Sequence, residues 1–144
     1  MLFCDTSTLA KYYVSEPESA AVRARLDAED RVLLSELARA ELMGVFHRRL
    51  RQRQWNRDDF LTVVRQFSTD EVSGYWTWLP LEGTIVEQVV RTYTALPEDV
   101  FLLRTADCLH LVTALHHGFA EIHTHDRHQR DGAGALGLTA VAIT

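Results

Sequence analysis

The sequence predicts an α/β fold in which a central parallel sheet lies between layers of helices. Three observations lead to this prediction. Short apolar segments alternate with longer segments of helical periodicity. The last third of the chain runs strand, helix, strand. No repeat, low-complexity segment or linker divides the 144 residues, of which 47% are hydrophobic, so we expect one domain over 1–144.

The first element is a short strand that ends on a carboxylate. Residues 1–4 form an apolar run that is too short for a signal peptide, and Asp5 follows it directly, ahead of Thr6 and Ser7. Open α/β sheets bind their ligands at the carboxyl ends of strands. Asp5 is therefore the first candidate for a functional residue.

Helices dominate the chain from this strand to residue 68. Apolar residues recur there at helical spacing, Pro17 interrupts the first helical stretch, and Ser35 and Asn56 are residues of the type that caps helix N-termini. In chain order, the expected elements are helices over 9–14 and 18–28, a strand over 31–34, and helices over 36–51 and 56–68.

The second half alternates strands with helices. Aromatic residues favour a strand that begins at Tyr75, Pro97 ends one helix and Gly118 ends the next. The expected elements are a strand over 75–81, helices over 83–95 and 105–117, a strand over 120–124, a helix over 126–136 and a strand over 139–143.

Composition narrows the classes of function. Apolar runs fall far short of the roughly 20 residues that a membrane span needs. Cys4 and Cys108 lack metal-binding or redox spacing, and no secretory segment indicates an oxidising compartment. We therefore expect a cytoplasmic protein that does not enter membranes and whose thiols are reduced.

The net charge of −5 argues against unselective binding to nucleic acid. One dense basic cluster is nevertheless present, and it consists of Arg48, Arg49, Arg51 and Arg53. These cations either complement the C-terminal dipole of a solvated helix or contact phosphate groups. The sequence leaves both interpretations open.

Three further acids stand where the local pattern predicts burial. Glu41 lies within the apolar segment 40–46, on the helix face of Gly44 and Val45. Asp107 opens an apolar helix that has no other fixed charge, and Asp126 follows a strand as Asp5 does. Simpler interpretations are a partly exposed or paired glutamate and two helix-terminal aspartates.

These four acids would converge if both strand ends lie near the middle of the sheet. Clustered carboxylates repel one another, so such an arrangement is sensible around a divalent cation. Oxygen ligands favour Mg²⁺ or Mn²⁺. With these ions, the usual chemistry is hydrolysis of phosphodiester bonds.

Four motifs in order along residues 2–143 resemble the PIN-domain ribonucleases and, among them, the VapC-type toxins of toxin-antitoxin modules. The motifs are CDTSTLAKYYVSEPES, SELARAEL, RTADCLHLVTAL and HTHD. The resemblance implies a three-layer PIN-like α/β/α fold with a parallel central sheet. It also implies a Mg²⁺- or Mn²⁺-dependent endoribonuclease, homodimerisation and inhibition by a cognate VapB-type antitoxin.

The resemblance assigns an acidic cluster to Asp5, Glu41, Asp107 and Asp126, the same four residues that the burial argument selects. It also assigns supporting roles, holding the acids or a water, to Thr6, Ser7 and Thr124. Cys4 departs from the family pattern, in which an aliphatic residue is usual. The basic cluster is a candidate surface for RNA or for the antitoxin.

Three other hypotheses remain open. His123 and His125 could join Asp126 in a zinc-dependent hydrolase, although no standard zinc spacing is present. Cys4 or Cys108 could act as a nucleophile with a histidine, although a buried thiol is the commoner role for free cysteine. A catalytically inactive PIN-like binding module is the third, and retention of all four acids disfavours it.

Overall fold

A parallel sheet of short strands forms the centre of the computed structural model, which describes residues 1–98 and 103–144. Strands β1, β2 and β3 pair in parallel, as do β4 and β5. A bridge between Cys4 and His123 joins the two groups, which gives the strand order 3-2-1-4-5. The strands are β1 (Leu2–Phe3), β2 (Val32–Ser35), β3 (Trp76–Leu79), β4 (Glu121–His123) and β5 (Thr139–Val141).

Helices cover both faces of the sheet. The described residues contain α1 (Thr6–Tyr13), α2 (Ser19–Asp27), α3 (Leu37–Arg51), α4 (Arg57–Val72), α5 (Gly83–Ala95), α6 (Thr105–His116) and α7 (Arg127–Ala135). Alternate strand residues point to opposite faces. Leu2 and Leu34 accordingly belong to the core beneath α1 to α4, whereas Phe3 and Leu33 belong to the core beneath α5 to α7. The three-layer α/β/α prediction is confirmed.

Several helix boundaries differ from the predictions, as at the end of α4, which extends to Val72; two of the differences bear on the site. Helix α1 begins at Thr6, three residues early, because the Asp5 side chain caps it by accepting from the Thr8 N–H. Ser35 was expected to occupy the N-cap position of α3, but it is the last residue of β2, in register with Leu79, and its hydroxyl accepts from the Leu37 N–H at 3.4 Å. The N-cap position belongs to Glu36, which makes no side-chain capping bond.

The strand order reverses between β1 and β4, and this reversal is what creates a site. The chain leaves β1 into α1 and leaves β4 into α7, which lie in opposite layers of helices. Such a reversal opens a crevice at the carboxyl ends of the strands. Asp5 and Asp126 are the N-cap residues of the two departing helices, so both carboxylates lie beside this crevice. Among the described residues, no helix has the length and apolar character to cross a membrane.

Candidate active site

A cleft of about 540 Å³ lies at this reversal, and all four predicted acids line it. Asp5 and Asp126 reach it from the ends of β1 and β4, Glu41 from α3 and Asp107 from the first turn of α6. The other lining residues are Thr6, Ser7, Gly44, Val45, Arg48, Arg104, Ala106 and His110. Four elements that are distant in sequence therefore converge on one acidic cleft.

Asp5 is the most buried of these acids, at 3% exposure. Its Oδ1 accepts from the Ser7 hydroxyl at 2.7 Å and from the Thr8 N–H at 3.1 Å, and its Oδ2 accepts from the Thr124 hydroxyl at 2.6 Å. Burial raises the pKa of Asp5, and this effect exceeds the opposing influence of these bonds and of His110. Among the described residues, the bonding partners of the Asp5 carboxyl are thus two hydroxyls and an amide, with no cation.

Glu41 is held by a histidine and a hydroxyl. Its Oε2 lies 2.7 Å from His110 Nε2 and also accepts from the Thr6 hydroxyl. Because a carboxylate only accepts, His110 Nε2 carries the hydrogen of this contact. Burial raises the pKa of Glu41, but the bonds from His110 and Thr6 outweigh burial and leave the pKa below its ordinary value.

One guanidinium group joins the two remaining acids. Arg104 binds Asp107 through two hydrogen bonds, Nε to Oδ2 at 2.6 Å and Nη2 to Oδ1 at 3.0 Å, and the same Nη2 donates to Asp126 Oδ2 at 2.8 Å. For Asp126, burial raises the pKa, but the bond from Arg104 and those from backbone N–H groups outweigh burial and lower it. The bonds to Asp107 and Asp126 raise the pKa of Arg104.

Thr124 connects the two strand ends. It is fully buried, and its hydroxyl donates to Asp5 while accepting from the Asp126 N–H at 3.0 Å. Ser7 completes the connection, since its hydroxyl lies 3.3 Å from that of Thr124 and accepts from the His125 N–H at 2.8 Å. The hydroxyls of Thr6, Ser7 and Thr124 thus all contact the acids or one another.

The chemistry of the donors suits a hard divalent cation, because the acids and hydroxyls offer oxygen ligands. The positions of these side chains, however, do not form a complete set of metal ligands. Within residues 1–98 and 103–144, no three His, Cys, Asp or Glu side chains are grouped so as to hold a metal ion. Arg104 already bonds to Asp107 and Asp126. The types of residue therefore suit a divalent cation, but Arg104 is bonded to two of the four acids, Asp107 and Asp126.

The histidine arrangement expected for zinc does not form. Both ring nitrogens of His125 have other partners, the Thr8 hydroxyl at 3.1 Å and the Ile143 carbonyl at 2.9 Å. His123 is buried and does not line the cleft. Cysteine chemistry is disfavoured too, because burial raises the pKa of Cys4 well above its usual range and that of Cys108 to about 11.

The four arginines of the basic cluster lie in different environments. Arg48 is exposed and lines the acidic cleft. Arg49 forms an ion pair with Glu16 and donates to the Gln54 side chain. Arg51 and Arg53 are exposed and do not line the cleft. Arg48 is therefore the member whose position suits contact with a ligand in the cleft.

Sequence reasoning missed two residues of the cleft, Arg104 and His110. Arg104 lies three positions before Asp107 and His110 lies three positions after it, and residues three positions apart share a helix face. A search for partners of Asp107 at this spacing would have found both.

Comparisons with known proteins agree with this architecture. Residues 2–135 match the PIN domain. Ribonuclease VapC46 of Mycobacterium tuberculosis is 32% identical over 149 residues, which cover 98% of this chain and 96% of that protein. The fold and the acidic cleft at the strand reversal agree with these matches. The protein therefore belongs to the PIN-domain family. Within the family it is a relative of the VapC-type ribonucleases.

Solved structures share the fold at lower identity. VapC20 of Mycobacterium tuberculosis, described as a sarcin-ricin loop cleaving toxin, superposes with a TM-score of 0.73 at 14% identity over 98% of both chains. FitAcB from Neisseria gonorrhoeae gives 0.75 at 19% identity over 97% of this chain and 96% of that one. A toxin-antitoxin complex from Klebsiella pneumoniae gives 0.64 at 19% identity over 100% of this chain and 98% of that one.

Proposed function

We propose that this protein is a metal-dependent endoribonuclease and the toxin of a type II toxin-antitoxin module. One observation carries the proposal: Asp5, Glu41, Asp107 and Asp126, from four separate elements, line a single cleft. The 32% identity to Ribonuclease VapC46 supports RNA as the substrate. Carboxylates from four separate elements in one cleft are what a site for a divalent cation needs, and an inactive binding module has no such requirement.

The four carboxylates would hold Mg²⁺ or Mn²⁺, which supplies Lewis-acid stabilisation of the charge that develops on the phosphate. The chain's own groups prepare this cleft. Thr6 and His110 keep Glu41 ionised, and the hydroxyls of Ser7 and Thr124 fix both oxygens of Asp5. Both carboxylates are thus oriented before any ligand arrives, which lowers the reorganisation needed during reaction.

Arg48 is placed to guide the substrate. Its guanidinium group is exposed at the cleft and suits an RNA phosphate, because arginine binds phosphate through two parallel hydrogen bonds. Arg51 and Arg53 would extend this contact along the RNA or meet the acidic part of an antitoxin. Arg49, already paired with Glu16, is proposed to act mainly in stability.

The proposed partners are RNA, a VapB-type antitoxin and a second copy of the chain. Support for the antitoxin comes from the shared fold with the Klebsiella pneumoniae toxin-antitoxin complex. A cytoplasmic location would provide RNA and would keep Cys4 and Cys108 reduced.

Cleavage of RNA by the purified protein tests this function. We expect cleavage with Mg²⁺ or Mn²⁺, loss of cleavage with a chelator, and a reduction of about 100-fold or more for Glu41→Gln. Asp131→Asn is the matched control, since this exposed acid of α7 does not line the cleft. Cleavage that persists in chelator, or that Zn²⁺ alone restores, would contradict the proposal.

A further inference from the structure

Arg104 is the arginine of the described cleft that bonds directly to its carboxylates. The cleft contains four carboxylates and two guanidinium groups, of Arg104 and Arg48. Of these two arginines, Arg104 is the one that forms ion pairs with the acids among the described residues, at 2.6 Å to Asp107 and 2.8 Å to Asp126. Asp5 and Glu41 have other partners, namely hydroxyls, an amide and His110. The guanidinium thus stands between the two acids contributed by α6 and by the end of β4.

The Arg104 side chain is also accessible to solvent. Its side chain is 48% exposed, whereas that of Asp107 is 9% exposed. The arginine is the N-cap residue of α6 and makes no side-chain capping bond, so its departure does not uncap the helix. Solvent screens the exposed side of these ion pairs, although the two hydrogen bonds to Asp107 hold Arg104 more firmly than a single surface contact would. Arg104 is the more exposed partner in both ion pairs, and the aspartates are the more buried partners.

We propose that Arg104 is a displaceable counter-ion that links cation binding to RNA binding. This inference rests on the proposed function, because it takes Asp107 and Asp126 as ligands of the divalent cation. Without RNA, the guanidinium competes with the cation for both carboxylates. A phosphate of bound RNA offers the guanidinium an alternative bidentate partner, which releases the two aspartates. Cation and RNA then bind cooperatively, and the cooperativity is reciprocal.

Titrations of Mn²⁺ test this link without relying on activity. The dissociation constant for Mn²⁺ is measured by electron paramagnetic resonance, with and without a short 2′-O-methylated RNA that stays intact during the titration. For the wild type, we expect the oligonucleotide to tighten Mn²⁺ binding by about fivefold or more. Arg104→Gln should bind Mn²⁺ tighter by a similar factor without the oligonucleotide, and adding it should change little.

Arg48→Gln is the matched control, because it removes the other guanidinium of the same cleft and breaks no bond to an acid. Measured without the oligonucleotide, this variant should alter Mn²⁺ affinity by about twofold at most, through the general field alone. Equal tightening in both glutamine variants would contradict the proposal, and so would unchanged or weaker binding in Arg104→Gln.

If Arg104→Gln does not fold, Mn²⁺ binding by Arg104→Lys tests the proposal instead. Lysine keeps the charge but loses the two-pronged contact, so this variant should bind Mn²⁺ more tightly than the wild type, and equal or weaker binding would overturn the proposal. Failure of the proposed metal centre and failure of this inference alone give different results. If no variant binds Mn²⁺, with or without RNA, the metal centre and this inference both fail. If the wild type binds Mn²⁺ and cleaves RNA but Arg104→Gln shows no gain, only the inference fails.

Discussion

Thr124→Val should destabilise the protein far more than loss of one hydroxyl normally does. The change leaves Asp5 Oδ2 without its 2.6 Å donor and the Asp126 N–H without its acceptor. A hydrogen bond to a charged group contributes about 1.5–3 kcal/mol, and a stranded buried donor costs about 1–3 kcal/mol. We expect a loss of about 3 kcal/mol in the free energy of unfolding, or roughly 10 °C in Tm for a chain of this size.

The loss should also depend on pH. The Thr124 hydroxyl lowers the pKa of Asp5, so its removal raises further a pKa that burial already raises. An acid whose folded pKa is raised favours the native state as pH falls, because the folded form then binds the proton more tightly. The deficit of Thr124→Val should accordingly be smaller near pH 5 than at pH 7. Urea unfolding at both pH values measures it.

Two controls make this result interpretable. Thr113→Val removes another fully buried hydroxyl, one that donates only to the Leu109 carbonyl within α6, and should cost less than about 1 kcal/mol. Thr124→Ser keeps the hydroxyl and loses a methyl group, which costs about 1 kcal/mol. If Thr124→Val and Thr113→Val differ by less than about 1 kcal/mol, Thr124 does not connect the two strand ends as described.

Three further predictions concern charge and thiols. Because Asp126 has a lowered pKa in the folded protein, its ionised form stabilises the native state above the ordinary aspartate pKa of about 4, and this stability is lost as pH falls. Asp126→Asn should therefore weaken the fall of the free energy of unfolding at acid pH, and an unchanged fall below pH 5 would refute this. Cys4 and Cys108 should resist alkylation at pH 7 until the protein unfolds, as mass spectrometry with iodoacetamide will show, since both are buried with raised pKa values; rapid native labelling would disprove it. Arg48→Gln should weaken RNA binding and reduce its salt dependence, whereas Arg49→Gln should mainly lower stability because Arg49 pairs with Glu16; equal effects on RNA affinity would contradict this assignment.

Most of the fold follows from local patterns in the sequence. Asn56 caps α4 through a capping box with Asp59, as its residue type indicates. Gly118 follows α6 at φ 76°, a conformation that glycine adopts without strain. Alternation within the two-residue strand β1 and the four-residue strand β2 is enough to supply both cores, since successive side chains enter opposite layers.

The contacts within the site were less accessible to sequence reasoning. Residue type and expected burial selected the four acids individually, but which acid pairs with which partner depends on the crossing of α3, α6 and the strand ends. The Glu41–His110 contact joins residues 69 positions apart, and no local pattern encodes such a contact. The Arg104–Asp107 pair is local, yet its extension to Asp126 depends on where β4 ends.

The role of Asp5 in metal-dependent cleavage is tested by comparing cleavage of RNA by Asp5→Asn and by the wild type, each shown to be folded and each supplied with Mg²⁺ or Mn²⁺. The amide preserves the shape of the side chain and can still accept from Ser7 and the Thr8 N–H, but it removes the charge that the proposed metal site requires. We expect cleavage by the wild type and a loss of about 100-fold or more in the variant. Equal cleavage by the two proteins would contradict this role of Asp5.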